Sequence, residues 1–297
     1  FKGQIDGITA KAAKGLKPLK MDLDVTLNNA ELSGAASLGN ADEQILKANG
    51  KVPLAISILE QEFSPDMSAP VVGSVRLDGE IAEFWPYVPA PDHDLSGNIK
   101  LALDVSGRLD DIAWKGDIKL ADGAYENLEY GTIIDGLTFT GDFDQTGLSI
   151  PSITATDGGS GTLDGSVDLA LNQGSMVKYD VGLKLTNMAL SRKDELQFWA
   201  DVDTSVTGTE GGADIKSTVT LQRGEVDLSL ALPESVPSLD VANLPGAQEE
   251  AKAKKEQEAK GGFVGNLDVT VNIPARLFVR GKGLDSEWGG TLDISGT

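Results

Sequence analysis

The sequence predicts an all-β fold, an elongated sheet with one apolar and one polar face. Three observations predict it. Apolar residues recur at every second position nearly end to end, glycine- and aspartate-rich turns separate these runs, and amphipathic helices that would lie on the apolar side are all but missing. Side chains alternate across a strand, so a two-residue period gives each strand one greasy and one wet face.

The elements follow in order. Met21, Leu23, Val25 and Leu27 alternate, as do Val52, Leu54, Ile56 and Ile58, then Val71, Gly73, Val75 and Leu77, then Ile99, Leu101, Leu103 and Val105. Leu137, Phe139, Gly141 and Phe143 come next. In "GTLDGSVDLAL" (161–171), Leu163, Val167, Leu169 and Leu171 share one parity, and Thr162, Asp164, Ser166 and Asp168 take the other. Val177 to Leu185 continue the pattern, followed by Ile215, Val219 and Leu221, by Val226, Leu228, Leu230 and Leu232, and by Leu267, Val269, Val271 and Ile273. Roughly sixteen to eighteen strands result, spaced as in meandering all-β chains. The connectors, such as "SGRLDD", "ATDGGSG" and "TGTEGG", suit turns that need positive φ.

Two stretches differ. "EFWPYVPAPDHD" (83–94) gathers aromatics and prolines; Phe84, Trp85 and Tyr87 read as a plug for the end of the sheet rather than a membrane contact. Residues 237–262 are the only helix-capable run, with Glu250/Lys254 and Glu256/Lys260 at i,i+4 spacing. From 249 to 260 that run is polar all round except for alanines, so a solvated helix or disordered insert is expected.

Composition narrows the function classes. Lys+Arg is 25 and Asp+Glu is 46, a net charge of −21, which repels nucleic acid and anionic membrane surfaces. The 35 glycines and 5% aromatics suit turns and closely spaced strands, not a dense aromatic core. The absence of cysteine excludes disulfides and thiolate sites. No apolar run reaches the roughly 18 residues of a membrane span. The chain opens on Phe1 and starts and stops inside apparent repeats, which reads as a fragment of a longer protein.

Catalytic chemistry finds no constellation. His93, the single histidine, sits in a polar turn. Asp22/Asp24 and Asp201/Asp203 stand two apart and share the wet face of a strand, which solubility explains. "DGGSGTLDG" misses the calcium-binding nonapeptide, because Leu163 holds the aspartate position and Asp164 comes one residue late. "RGKGLD" lacks the spacing of a phosphate-binding loop. No enzyme, no metal and no cofactor are expected.

The question left is what covers the apolar face. Two facing sheets, a solenoid filled by its own side chains, or a sheet curled into a trough would each do so. Small residues on the apolar parity, namely Gly34, Ala36, Gly73, Gly141, Gly161 and Gly165, lean toward a trough.

Residues 114–171 carry Gly116-Asp117-Ile118, then Asp122 to Asn127, then Gly131 to Leu137, then Gly159 to Leu171. In that order they resemble the repeat of the TamB family, the translocation and assembly module subunits among the AsmA-like bridge-type lipid-transfer proteins. The block 269–297 resembles the family more specifically through Pro274, Arg276, Val279, Arg280, Gly281, Gly283, Leu284, Asp285 and Gly289 to Thr297. The likeness covers roughly 95–297, whereas 1–94 match in style only. It divides the chain into an upstream segment, 1–94, of one groove and a C-terminal region, 95–297, with the polar insert at about 239–262.

This resemblance implies a curled, U-shaped hydrophobic groove, a β-taco, that conducts phospholipids across the periplasm between inner and outer membrane and supports outer-membrane biogenesis. It implies an inner-membrane anchor and a TamA-like outer-membrane barrel partner, both bound through parts outside this sequence. The apolar parity then gives the lipid-lining residues: Leu101, Leu103, Val105, Ile118, Leu120, Leu137, Phe139, Leu163, Val167, Leu169, Leu171, Val181, Leu183, Leu185, Val219, Leu221, Leu228, Leu230, Val269 and Val271. Arg276 and Arg280 are candidates for headgroup contact, beside a plainer reading of "RLFVRGKGLD" as a bulge or bend with arginine pairing to a nearby aspartate. The alternatives are a chaperone for outer-membrane β-barrel proteins acting with TamA, and a structural or adhesive β-solenoid.

Overall fold

The structure, a computed structural model, describes residues 2–8, 18–28, 30–40, 44–57, 62–172, 175–229 and 264–296. Sixteen strands form among them: β1 (Lys2–Ile8), β2 (Leu19–Asn28), β3 (Glu31–Gly39), β4 (Gln44–Ser57), β5 (Glu62–Pro65), β6 (Pro70–Glu80), β7 (His93–Arg108) and β8 (Asp111–Asn127). They continue as β9 (Thr132–Asp144), β10 (Gly147–Thr156), β11 (Thr162–Asn172), β12 (Ser175–Arg192), β13 (Leu196–Thr209), β14 (Gly212–Asp227), β15 (Val264–Gly281) and β16 (Leu284–Gly296). All but β5, which pairs with β4, stand in sequence order in one elongated sheet. Every pairing is antiparallel except that of β14 with β15.

The alternation read from the sequence makes the strands, and turn chemistry joins them. Between β15 and β16 two residues suffice, Lys282 and Gly283, with φ of 49° and 87°. Both central residues at positive φ are what a hairpin needs to match the twist of its strands. Between β6 and β7 the chain makes two 3-10 turns, Ile81–Glu83 and Trp85–Tyr87. Phe84, Trp85 and Tyr87 are half-buried there, and the Trp85 indole donates to the His93 carbonyl at 3.0 Å.

The U-shaped groove does not form. The sheet is neither strongly curled nor closed: its path is open, with β1 and β16 at the two edges. Strands contact their sheet neighbours, and among the described residues the one substantial strand contact beyond neighbours is β9 with β12. The physical reason lies in the bulges, which bend a sheet. Between β2 and β3, β4 and β6, and β6 and β7 the register runs without a shift. From β7 to β15 most shifts gather toward one end of the strands, as at Leu120/Gly123, Leu185/Met188 and Ile273/Leu277. A second line of bends, which would fold one wall over the other, is missing among the described residues.

The packed core sits where the sheet comes nearest to closing on itself. The β10–β11 hairpin stops at Thr156 and Thr162, and β9 and β12 meet past its tip. There the Thr132 hydroxyl donates to the Leu190 carbonyl at 2.6 Å and the Arg192 amide to the Gly131 carbonyl at 3.2 Å. Ala155, Leu163, Leu185 and Met188 are buried beneath, packed by Ile134, Leu137, Ile153, Leu183, Leu190 and Val202.

The described part of the stretch Val226 to Leu232, residues 226–229, forms no separate strand of its own. Val226 is the next-to-last residue of β14, which runs through an irregularity between Thr220 and Gly224, and Leu228 lies in a turn. Leu230 and Leu232, and the insert expected at 239–262, lie outside the described residues.

Candidate functional site

The candidate site is the apolar face, built from rows of side chains that cross the strands. Residues opposite each other on neighbouring strands share a face, so register converts parity into rows. One row passes Ile5, Met21, Leu38, Leu46 and Leu77 from β1 to β6. It continues through Leu101 and Ile118 to Gly141, whose missing side chain makes room for Ile150. Val167, Val181, Val206, Ile215 and Leu267 carry it to β15. At about 4.8 Å per strand the row is roughly 65 Å long.

Parallel rows place the other expected lining residues. Leu120 and Phe139 lead through Ile153 and Gly165 to Leu183, and this row ends at Val269 after a polar step, where the hydroxyls of Thr204 and Ser217 bond at 2.7 Å. Leu163, Leu185, Val202, Val219 and Val271 form a third, with Leu137 packed against its start. Leu103 and Leu169 belong to a fourth row with Phe143 and Leu148, Val105 lies opposite Trp114, Leu171 opposite Met176, and Leu221 opposite Ala200. Leu120, Leu163, Leu185 and Leu221 are buried, and the remaining described members, Leu228 included, are half-buried. The face is thus continuous, and most of it is only partly covered by protein.

The opposite face is charged. Asp117 lies opposite Asp142, Asp142 opposite Ser149, Ser149 opposite Asp168, and Asp168 opposite Asp180. An open concavity of about 840 Å³ borders this acidic row. Lys100 pairs with Asp78 at 2.9 Å and Arg76 with Asp104 at 2.6 Å, both exposed. Among the described residues no cluster of histidine and carboxylate ligands can hold a metal.

The two arginines stand apart from the apolar rows. Arg280 bonds Asp285 at 3.3 Å and lies 5.2 Å over the Phe278 ring, on the parity opposite to Leu277 and Val279. Arg276, exposed in the irregular stretch of β15, donates to the Gln222 side-chain oxygen at 3.1 Å. His93 begins β7, with its Nδ1 2.8 Å from the Tyr125 hydroxyl.

Sequence reasoning missed Asp157. This carboxylate is 2% exposed and pins the β10–β11 tip to β12. One oxygen accepts from the amides of Gly159 and Gly161 at 2.8 and 3.0 Å, the other from the Ala189 amide at 3.0 Å, and Arg192 lies 3.1 Å away. Burial pushes the carboxyl up, but the amides and the guanidinium outweigh it and hold it below the ordinary carboxylate range. The available signal was "DGGSG" itself, since an aspartate ahead of glycines accepts backbone amides in a turn.

Residues 151–297, about half of the chain, match the family model of the TamB C-terminal domain. The chain belongs to the TamB family. No curated protein and no solved structure matches it. TamB membership carries a general role in membrane biogenesis and a place in the periplasmic envelope, and TamB proteins are a transport and scaffold family without catalysis.

Proposed function

We propose that the apolar face carries the acyl chains of phospholipids and that the protein conducts them between inner and outer membrane. The observation that supports this reading is the row from Ile5 to Leu267, which crosses β1 to β15 with apolar side chains or glycine throughout. Each methylene moved from water onto such a surface gains about 0.8 kcal/mol. Neighbouring positions along a row are alike, so a chain moving from one strand to the next exchanges one contact for another at little cost. On this reading headgroups stay in water at the rim, with Arg276 as the candidate phosphate contact. The partners on this reading are phospholipids, an inner-membrane anchor and a TamA-like barrel.

The test is mass spectrometry of lipid extracted from the purified chain and from a variant carrying Leu169→Asp and Leu183→Asp. Both leucines are half-buried on the apolar face. A charge against hydrocarbon costs several kcal/mol, so the folded double variant should lose its phospholipid. Chain without phospholipid, or an unchanged lipid content in the folded double variant, overturns the reading.

A second reading, assistance to outer-membrane barrel assembly, draws on β16. Among the described strands it pairs only with β15, and it exposes Trp288, Leu292 and Ile294. An open edge is a template for strand addition. Cross-linking of a barrel-derived peptide to β16 in lipid-free protein would favour that role.

A further inference from the structure

Two rims bound the apolar face, an upper one where β7 stops and β8 starts, and a lower one where β7 starts and β8 stops. Register places aromatic side chains on the apolar face at both. At the upper rim Trp114 lies opposite Val105, Phe143 opposite Leu148, and Tyr179 opposite Leu169. At the lower rim Tyr125 lies opposite Leu95 and Ile134, Phe198 opposite Gly224, and Trp288 opposite Leu277. Ile134 packs on the buried cluster, Phe198 shares the parity of Val202 and Val206, and Gly224 pairs in turn with Leu277, so these residues are on the apolar side.

Glycine seats several of the rings. A methyl on Gly116 would strike the Phe143 ring, one on Gly208 the Tyr179 ring, and one on Gly224 the Phe198 ring. A ring laid over a glycine of the next strand stays low on the sheet, so it borders the face without roofing it. Aromatic side chains settle where hydrocarbon meets water, and the lipid-facing surface of a membrane barrel is an apolar band between two such girdles.

The height of the band says how lipid fits it. Val105 comes ten residues after Leu95 on β7, and Gly208, the partner of Tyr179, comes ten after Phe198 on β13. Between Leu95 and Val105 the same parity holds Gly97, Ile99, Leu101 and Leu103. At about 3.3 Å per residue either span is about 33 Å along the strand. The hydrocarbon core of a bilayer is about 30 Å thick and holds two opposed layers of tails, so one tail covers about 15 Å. A single rank of lipid, with its headgroups at one rim, would leave half of the band in water. Two ranks cover it.

We infer that phospholipids lie on the apolar face in two opposed ranks, with headgroups along both rims and tail ends meeting near Leu101. This arrangement rests on the lipid reading above and adds to it the orientation of the lipid. At β9–β12 the buried Leu163 and Leu185 take up the lower half of the face, so the lower rank is interrupted there and the upper rank runs past.

Native tryptophans supply the reporters. Trp114 and Trp288 are at opposite rims of the apolar face, and Trp199, opposite Arg223, is on the other face at the lower rim. Each reports alone once the other tryptophans are replaced by phenylalanine, which keeps a ring at every site. The probe is phosphatidylcholine brominated either near the glycerol or near the methyl end of its tails, loaded onto protein freed of co-purified lipid; bromine quenches indole fluorescence on contact. Bromine near the glycerol should quench both Trp114 and Trp288 several-fold more strongly than bromine near the methyl end. The order should reverse for a sole tryptophan introduced by Leu101→Trp, and Trp199 should be spared. Glycerol-side quenching at one rim alone, stronger methyl-end quenching at either rim, or quenching of Trp199 equal to that of Trp288 overturns the two ranks and leaves the lipid reading standing. Quenching at none of the positions overturns both.

Discussion

Strands β2–β6 and strands β9–β12 use the same alternation, yet the buried cluster belongs to the second set. In the first, register runs nearly straight, and Leu23, Leu27 and Leu32 are at least 36% exposed. In the second, bulges turn the strands, a short hairpin lets its flanking strands meet, and Met188 and Ala189 become inaccessible. Apolar parity alone therefore produces a greasy surface. A core needs, in addition, irregularities that bring one part of the sheet over another, and those irregularities leave amides that something must satisfy. Asp157 accepts the Ala189 amide beside one bulge of β12, and Asp201 accepts the Asn187 amide at 2.7 Å beside another.

The two regions should differ most in their response to loss of Asp157. Asp157→Ala leaves three amides and Arg192 without their acceptor in a buried site, a loss of about 3–5 kcal/mol. Amide exchange followed by mass spectrometry should show β10–β12 opening while β2–β4 exchange as before; uniform opening would show that the two regions are one cooperative unit. The sign with pH follows from the depressed carboxyl. Its stabilisation is complete above the ordinary carboxylate range and is lost as pH falls through the lower folded value, so acid should loosen β10–β12 first.

Truncation at Met188 should have the next largest effect. Met188 is 1% exposed and Leu32 38%, so the first truncation should cost about 2–5 kcal/mol and Leu32→Ala less than about 1 kcal/mol in denaturant unfolding. Equal losses would mean that something covers Leu32.

The smallest contrast compares two glycines of the apolar parity. A methyl on Gly141 would stand 2.6 Å from Ile150 and 2.9 Å from the Ser149 carbonyl, whereas one on Gly34 meets nothing within 4 Å. Gly141→Ala should cost about 1–3 kcal/mol, and Gly34→Ala should stay within about 0.5 kcal/mol of the parent, as read from melting curves.

The strands and the apolar rows were legible because parity is local: each residue of "GTLDGSVDLAL" declares its face by its neighbours two away. Curl was not, because it depends on where bulges fall relative to one another across many strands, and residues such as Leu120 to Gly123 or Ile273 to Leu277 carry no local mark of that alignment. The trough inferred from Gly34 and Gly73 therefore reads as an open sheet: small residues lower the floor without raising walls. The parallel step at β14 was hidden differently. Val226 continues the alternation of a new strand, and only the long stretch before Val264, against the short turns that join β7 through β14, distinguishes a crossover from a meander.

The acidic row on the other face has a consequence for how molecules pack against each other. Asp117, Asp142, Asp168 and Asp180 bring like charges onto adjacent strands, an arrangement that weakens the sheet locally. Brought face to face, two such sheets would press carboxylate against carboxylate well inside the screening distance, about 8 Å at physiological ionic strength. A flat β surface is otherwise an invitation to stack into fibrils, and one with an apolar reverse side all the more so. Like charge on that face therefore opposes face-to-face stacking and leaves lateral growth to the edges.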